Sequence, residues 1–187
     1  MDYGPFLSCS LGAGGDNTAL KGIVVRVDKQ AEANICFDTE LLRVSAAWTG
    51  GYIDWKGPVL NEEHVSGPNV VGNVALATAR APGWAKDGVF SDPRAAKDGP
   101  LPVDWAKYKG LYLNGERVIF SYTVGDCPVL ETHSATVQNG KVAFNRHFTF
   151  GVSTKPLALS IAEDEKGAAL AHPAGALLSV GNEQIVA

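Results

Sequence analysis

The chain of 187 residues is 45% hydrophobic and only 19% charged, with 21 glycines and 10 prolines, a composition that suits one sizeable core built from short strands and turns rather than long helices. A formal net charge of -4 and a pI near 5.5 argue against nucleic acid as a partner, because phosphate binding needs Lys and Arg clustered on one face. No apolar run reaches the roughly eighteen residues of a membrane span, and the amino terminus "MDYGPFLSCSLGAGG" lacks the basic and apolar segments of an export signal, so the sequence reads as cytosolic or as a piece cut from a longer precursor.

Taken in chain order, "KGIVVRV" (21–27) is β-branched and predicts a strand, "ANICFDT" its antiparallel partner across a short polar spacer, and "LLRVSAAW" a third strand. From about Lys56 to Asp104 the character changes. Six prolines are scattered among glycines, and only "NVVGNVALAT" suggests a strand pair. A loop this long inside a compact domain is expected to carry function or to lie against the sheet, and Trp84 in "APGWAKDG" and Trp105 in "VDWAKYKG" favour a loop laid down on the core.

The second half carries Asn114-Gly115 and Asn139-Gly140, each between strand-like runs. Asn-Gly is the strongest short hairpin signal, since a type I′ turn needs positive φ at both central residues. Two hairpins and four antiparallel strands follow: "GLYL" with "RVIFSYTV", and "SATVQ" with "KVAFNRHFTF". The tail "LALSIAEDE", "AALAHPAG", "LLSVGNEQIVA" continues as short strands. The fold expected is all-β, an antiparallel β-sandwich or open barrel with a long Pro/Gly-rich loop excursion.

No assembled chemistry is legible. Cys9, Cys36 and Cys127 form no CxxC or CxxCH, so neither a zinc knuckle nor haem attachment is encoded; one disulfide with a thiol left over stays open, and Cys36 reads as a small core residue. His64, His133, His147 and His172 lack the spacing that places two imidazoles on one face for a metal. "LGAGGD" has no following helix or GK[ST] and reads as a turn rather than a phosphate loop. Asp54, Glu62, Glu63, Asp92 and Asp104 are the carboxylates near aromatics or turns, and turn or capping roles suit them best. The expectation is therefore no catalytic residue and no metal site.

The stretch "AAWTGGYIDW" (46–55) is the strongest binding candidate. In a regular pleat Trp48, Tyr52 and Asp54 share one face and Trp55 the other, although Gly50-Gly51 interrupts the pleat. Aromatic faces beside a carboxylate can stack a sugar ring and bond its hydroxyls; the competing reading is that they cover the sheet. With the loop tryptophans, the ligand-binding candidates are Trp48, Tyr52, Asp54, Trp55, Trp84 and Trp105.

The blocks "DYGPFLS", "DNTALKGIVVRV", "CFDTELLRVSAAWTGGYIDWKG", "PGWA", "DPR", "GPLPVDWAKYKGLYLNGERVIFSYTVGD" and "VLE", running from Asp2 to Phe150, resemble the domain of unknown function 6797, met mainly in planctomycete and verrucomicrobial proteins. The resemblance implies residues 1–150 as a family-like β domain, with 151–187 adding strands or leading into a following domain. It carries no activity. It implies a larger exported protein, often with c-type cytochrome segments or sugar-dehydrogenase-like propellers, so any haem belongs to a neighbouring segment and the location is extracytoplasmic. The function expected is a non-catalytic accessory module docking neighbouring domains of a redox or carbohydrate-active protein; the alternative is a carbohydrate-binding domain, with polysaccharide as partner. A glycan-cleaving enzyme acting through Asp54 or Asp104 is the third reading.

Overall fold

The structure, a computed structural model, describes residues 4–14, 16–54, 67–161, 168–172, 175–180 and 183–186. Fourteen strands and no helix are found among them: β1 (Phe6–Leu11), β2 (Ala19–Asp28), β3 (Ala33–Asp38), β4 (Arg43–Thr49), β5 (Ile53–Asp54), β6 (Asn69–Val70), β7 (Asn73–Ala77), β8 (Ala106–Asn114), β9 (Arg117–Val124), β10 (Cys127–Gln138), β11 (Lys141–Phe150), β12 (Ala168–His172), β13 (Gly175–Val180) and β14 (Glu183–Val186). A first antiparallel sheet runs β1-β2-β3-β4-β7 and a second β11-β10-β9-β8. Both keep free edges, so the architecture is a β-sandwich and not a closed barrel.

The sandwich forms because alternate residues of each strand share a face. Ile23, Val25, Ile35, Phe37 and Val44 of the first sheet meet Val118, Phe120, Tyr122, Val124 and Val129 of the second in one core. Phe37 stacks on Phe120 with ring centroids 4.1 Å apart and 15° between planes, a pairing that contributes roughly 0.5–1.5 kcal/mol beyond the area it buries. β3 is buried at every position because its other face is covered too: Val24, Cys36, Ala46 and Trp48 pack with Leu11, Ile53, Tyr52 and Val70 in a second, smaller core. Cys36 is thus the core residue expected, and all three cysteines are free thiols.

The hairpins lie where the Asn-Gly pairs predict, with one correction. At Asn139-Gly140 the last pair is Gln138↔Lys141, and φ is +53° and +75°, as a type I′ turn requires. At the other site the last pair is Asn114↔Arg117, so Gly115 and Glu116 are central; only Gly115 has positive φ, at +62°, the pattern of a type II′ turn. "NVVGNVALAT" does hold two strands, but they do not pair with each other: β6 joins β5 and β7 joins β4. Gly72 between them lies at φ +111°, and a Cβ there would stand 2.1 Å from the Thr49 carbonyl. β1 was not anticipated. It is an edge strand of mixed burial, so its alternation is weak.

The described part of the long excursion does lie on the core. Trp84, Leu101 and Trp105 enter the inter-sheet cluster, and the Trp105 indole N–H donates to the Trp84 carbonyl at 2.9 Å. Gly83 makes the approach feasible, because any Cβ there would come within 2.2 Å of the Leu42 carbonyl. In the tail, β12, β13 and β14 form an antiparallel meander. No helix among the described residues is long and apolar enough to cross a membrane.

Candidate functional site

The inward row of β10 runs Val129, Glu131, His133, and the pairing places Phe120 of β9 and Phe148 of β11 opposite Glu131, with Arg146 of β11 opposite His133. An apolar row is thus interrupted by three ionisable side chains facing the sandwich interior. Glu131 is fully buried. Its Oε1 accepts from Arg146 Nε at 2.7 Å and its Oε2 from the Tyr122 hydroxyl at 2.7 Å. His133 Nε2 lies 2.8 Å from the same Oε1, off the line of a hydrogen bond, and its ring packs against Phe37 and Phe120.

Burial by itself pushes the Glu131 carboxyl up, but the Arg146 guanidinium foremost, with the close His133 ring and the bond from Arg146, outweighs it and holds the group at about 2. Burial also lowers the His133 imidazole, more than Glu131 raises it. The two effects are compatible only one way at neutral pH: His133 is neutral, and Glu131 is ionised on the strength of Arg146 and the Tyr122 hydroxyl. Tyr122 is raised, by burial first and the Glu131 carboxylate second. A carboxylate held this low is a poor general acid, and no activated nucleophile stands beside it.

What the cluster does have is spare donors. Arg146 is 10% exposed, and among the described residues neither Nη1 nor Nη2 has a hydrogen-bond partner; the same holds for His133 Nδ1 and Nε2 and for Trp84 Nε1. The guanidinium carbon sits 5.2 Å from the Phe148 ring centroid, which holds it on one side. Buried donors are normally satisfied, and the two terminal nitrogens of Arg146 are donors in every protonation state, so they are the groups here that call for an acceptor.

The residues singled out from the sequence are dispersed. Trp48 is 0%, Trp84 2% and Trp105 3% exposed. Trp48 belongs to the smaller core, its Nε1 donating to the Tyr52 carbonyl at 2.9 Å across the Gly50-Gly51 turn, whereas Trp84 and Trp105 lie in the other core, on the opposite side of the first sheet. They form no common platform. Tyr52 is half-buried, with the Arg26 guanidinium 4.3 Å from its ring centroid; Asp54 is exposed beside buried Ile53. Trp55, Glu62, Glu63 and His64 fall outside the described residues. Asp104 pairs with Lys86 at 2.8 Å, and Asp92 accepts from the Arg94 backbone and guanidinium, a turn role. Among the described residues no group of three or more His, Cys, Asp or Glu could hold a metal ion. Burial raises the thiols of Cys9 to about 11 and Cys36 to about 12, which keeps them protonated and unreactive.

Glu131, His133 and Arg146 were not singled out from the sequence. A signal existed: Glu131 and His133 are two apart in a strand, hence on one face, and an unbroken register from the Asn139-Gly140 turn carries Arg146 opposite His133.

A family model described as a domain of unknown function (DUF6797) matches residues 35–131, just over half of the chain. The match is narrower than the span from Asp2 to Phe150 that the sequence blocks suggest, and it ends at Glu131. No curated protein and no solved structure matches the chain.

Proposed function

The chain belongs to the family described as a domain of unknown function (DUF6797), and from that premise we propose that it is a non-catalytic β-sandwich module that docks against a neighbouring domain of a larger polypeptide. The observation that carries this reading is a set of exposed apolar side chains on segments joined by ion pairs. Val89, Val103 and Val152 are 55%, 66% and 86% exposed, on three segments that ion pairs tie together: Lys86 with Asp104 at 2.8 Å and Lys155 with Asp87 at 2.9 Å. Apolar side chains within a charged rim are the anatomy of a docking face. Trp48, Trp84 and Trp105, by contrast, are engaged in holding the sandwich. The neighbour is an exported redox or carbohydrate-active domain, with any haem held there, and the location is extracytoplasmic; these follow from the resemblance, since the chain has no CxxCH of its own.

The test is limited proteolysis of the longer polypeptide carrying Val103→Asp and Val152→Asp together. Docking predicts faster cleavage between module and neighbour with unchanged unfolding of the module. An unchanged cleavage pattern overturns it. Polysaccharide binding is the second reading, favoured by exposed Asp54 beside the accessible part of Tyr52; affinity electrophoresis in soluble polysaccharides tests it, since retardation has to be lost in Asp54→Ala.

A further inference from the structure

We propose that the inward face of β9, β10 and β11 binds a small carboxylate-bearing molecule, held end-on by Nη1 and Nη2 of Arg146, with His133 taking up a proton as the ligand enters. The inference is separate from docking, which concerns the outer surface near Val103.

Both terminal nitrogens of Arg146 are removed from water and lack partners, while Nε is taken by Glu131. The free end of a guanidinium is a planar fork, and a carboxylate satisfies both of its arms at once. Arg146 lies near the margin of its sheet. β11 is the last strand of its sheet, and on the same inward row Phe150 is about half exposed. Phe148 and Phe150 stack with centroids 5.5 Å apart, and Trp84 meets both edge-on at 6.1 and 6.2 Å. These rings supply an apolar wall for the carbon part of the ligand, which points to a small aliphatic or aromatic monocarboxylate.

Charge decides the proton linkage. Glu131 and Arg146 already cancel, so an incoming carboxylate adds one uncompensated negative charge in a poorly solvated place. A proton from solvent on His133 removes the imbalance. His133 is faced by Glu131 on its own strand and by Arg146 on β11, with His147 acting from β11 as well; Phe120 of β9 and Phe37 of β3 are uncharged. Affinity is therefore expected to rise as pH falls, by up to about tenfold per pH unit above the His133 pKa, the limit for one proton per ligand.

The experiment titrates acetate and then benzoate into the protein at constant ionic strength at pH 6 and pH 8, following ring-labelled histidine resonances by NMR, with His133 assigned from His133→Gln. The expected result is a saturable shift of the His133 resonance, tighter at pH 6, with transfer of magnetisation from the acetate methyl group to the Phe148 ring. Arg146→Lys keeps the cation that Glu131 requires and is expected to abolish saturation. If neither probe saturates at pH 6 in the unaltered protein, water alone satisfies Arg146 and the proposal fails. Saturation without pH dependence overturns the role of His133, and binding undiminished in Arg146→Lys overturns that of the fork.

Discussion

Two arginines are buried in this sandwich, and they are treated differently. Arg43 in the first sheet has every nitrogen engaged: Nε with Asp38 at 3.2 Å, Nη1 with the Thr78 carbonyl and hydroxyl at 2.9 and 3.0 Å, and Nη2 with the Asn17 carbonyl at 2.8 Å. It ties the loop before β2 and the end of β7 to the first turn of β4. Arg146 in the second sheet has one engaged nitrogen and two idle ones. A satisfied guanidinium is a structural clamp; an unsatisfied one in the same kind of surroundings retains capacity for a ligand. The difference also explains why Asp38, itself buried, is raised by burial against the pull of Arg43, while Glu131, with a cation, a phenol and an imidazole around it, is held near 2.

The largest expected effect is at the clamp. Arg43→Met leaves buried Asp38 without its cation, its Oδ2 and several carbonyls without a donor, and urea unfolding should show a loss of about 3–5 kcal/mol. Glu131→Gln removes the only charge partner of Arg146 among the described residues, yet this arginine is 10% exposed against 2% for Arg43; the same measurement should give about 2 kcal/mol. Equal losses at the two sites erase the distinction. Arg146→Lys keeps the cation and is expected to cost about 1 kcal/mol or less, while Arg43→Lys, which cannot reproduce those directed bonds, costs more.

Acid sharpens the contrast further. Glu131 is lowered from its ordinary 4.5, so its stabilisation is complete above pH 4.5 and is lost as pH falls through about 2. His133 is lowered by burial from 6.5; the unfolded chain takes up that proton first, so stability declines as pH falls below 6.5. Asp38 is raised, and its contribution runs the other way, growing as pH falls through the carboxylate range. Stability curves at successive pH values should therefore show a decline from pH 6.5 downward that His133→Gln flattens. A decline unchanged in that variant shows that His133 is not the group responsible.

Much of the second sheet was legible. The Asn-Gly dipeptides marked two of its three hairpins, the one between β9 and β10 being closed by Gly125-Asp126, and since the pleat alternates, residues on one face could be read by counting from the turn. That the loop tryptophans pack on the core was expected, but the particular core each aromatic joins was not legible. Trp48 and Tyr52 do lie on the same side of the first sheet, as the pleat suggests, but the Gly50-Gly51 turn brings residues 51–54 back across the Trp48 indole and buries it. Likewise nothing local in "APGWAKDG" shows that Trp84 sits between the sheets.

The sequence by itself determined most of the longer strands and the Asn-Gly hairpins, because turn geometry and side-chain alternation depend only on near neighbours in the chain. Only the tertiary structure decided which faces are closed and which donors are left over, because burial is set by segments far apart in sequence: β3 and the loop carrying Trp84 pack with the inward residues of β9 and β10 in one core, while the terminal nitrogens of Arg146 on β11 find no partner among the described residues.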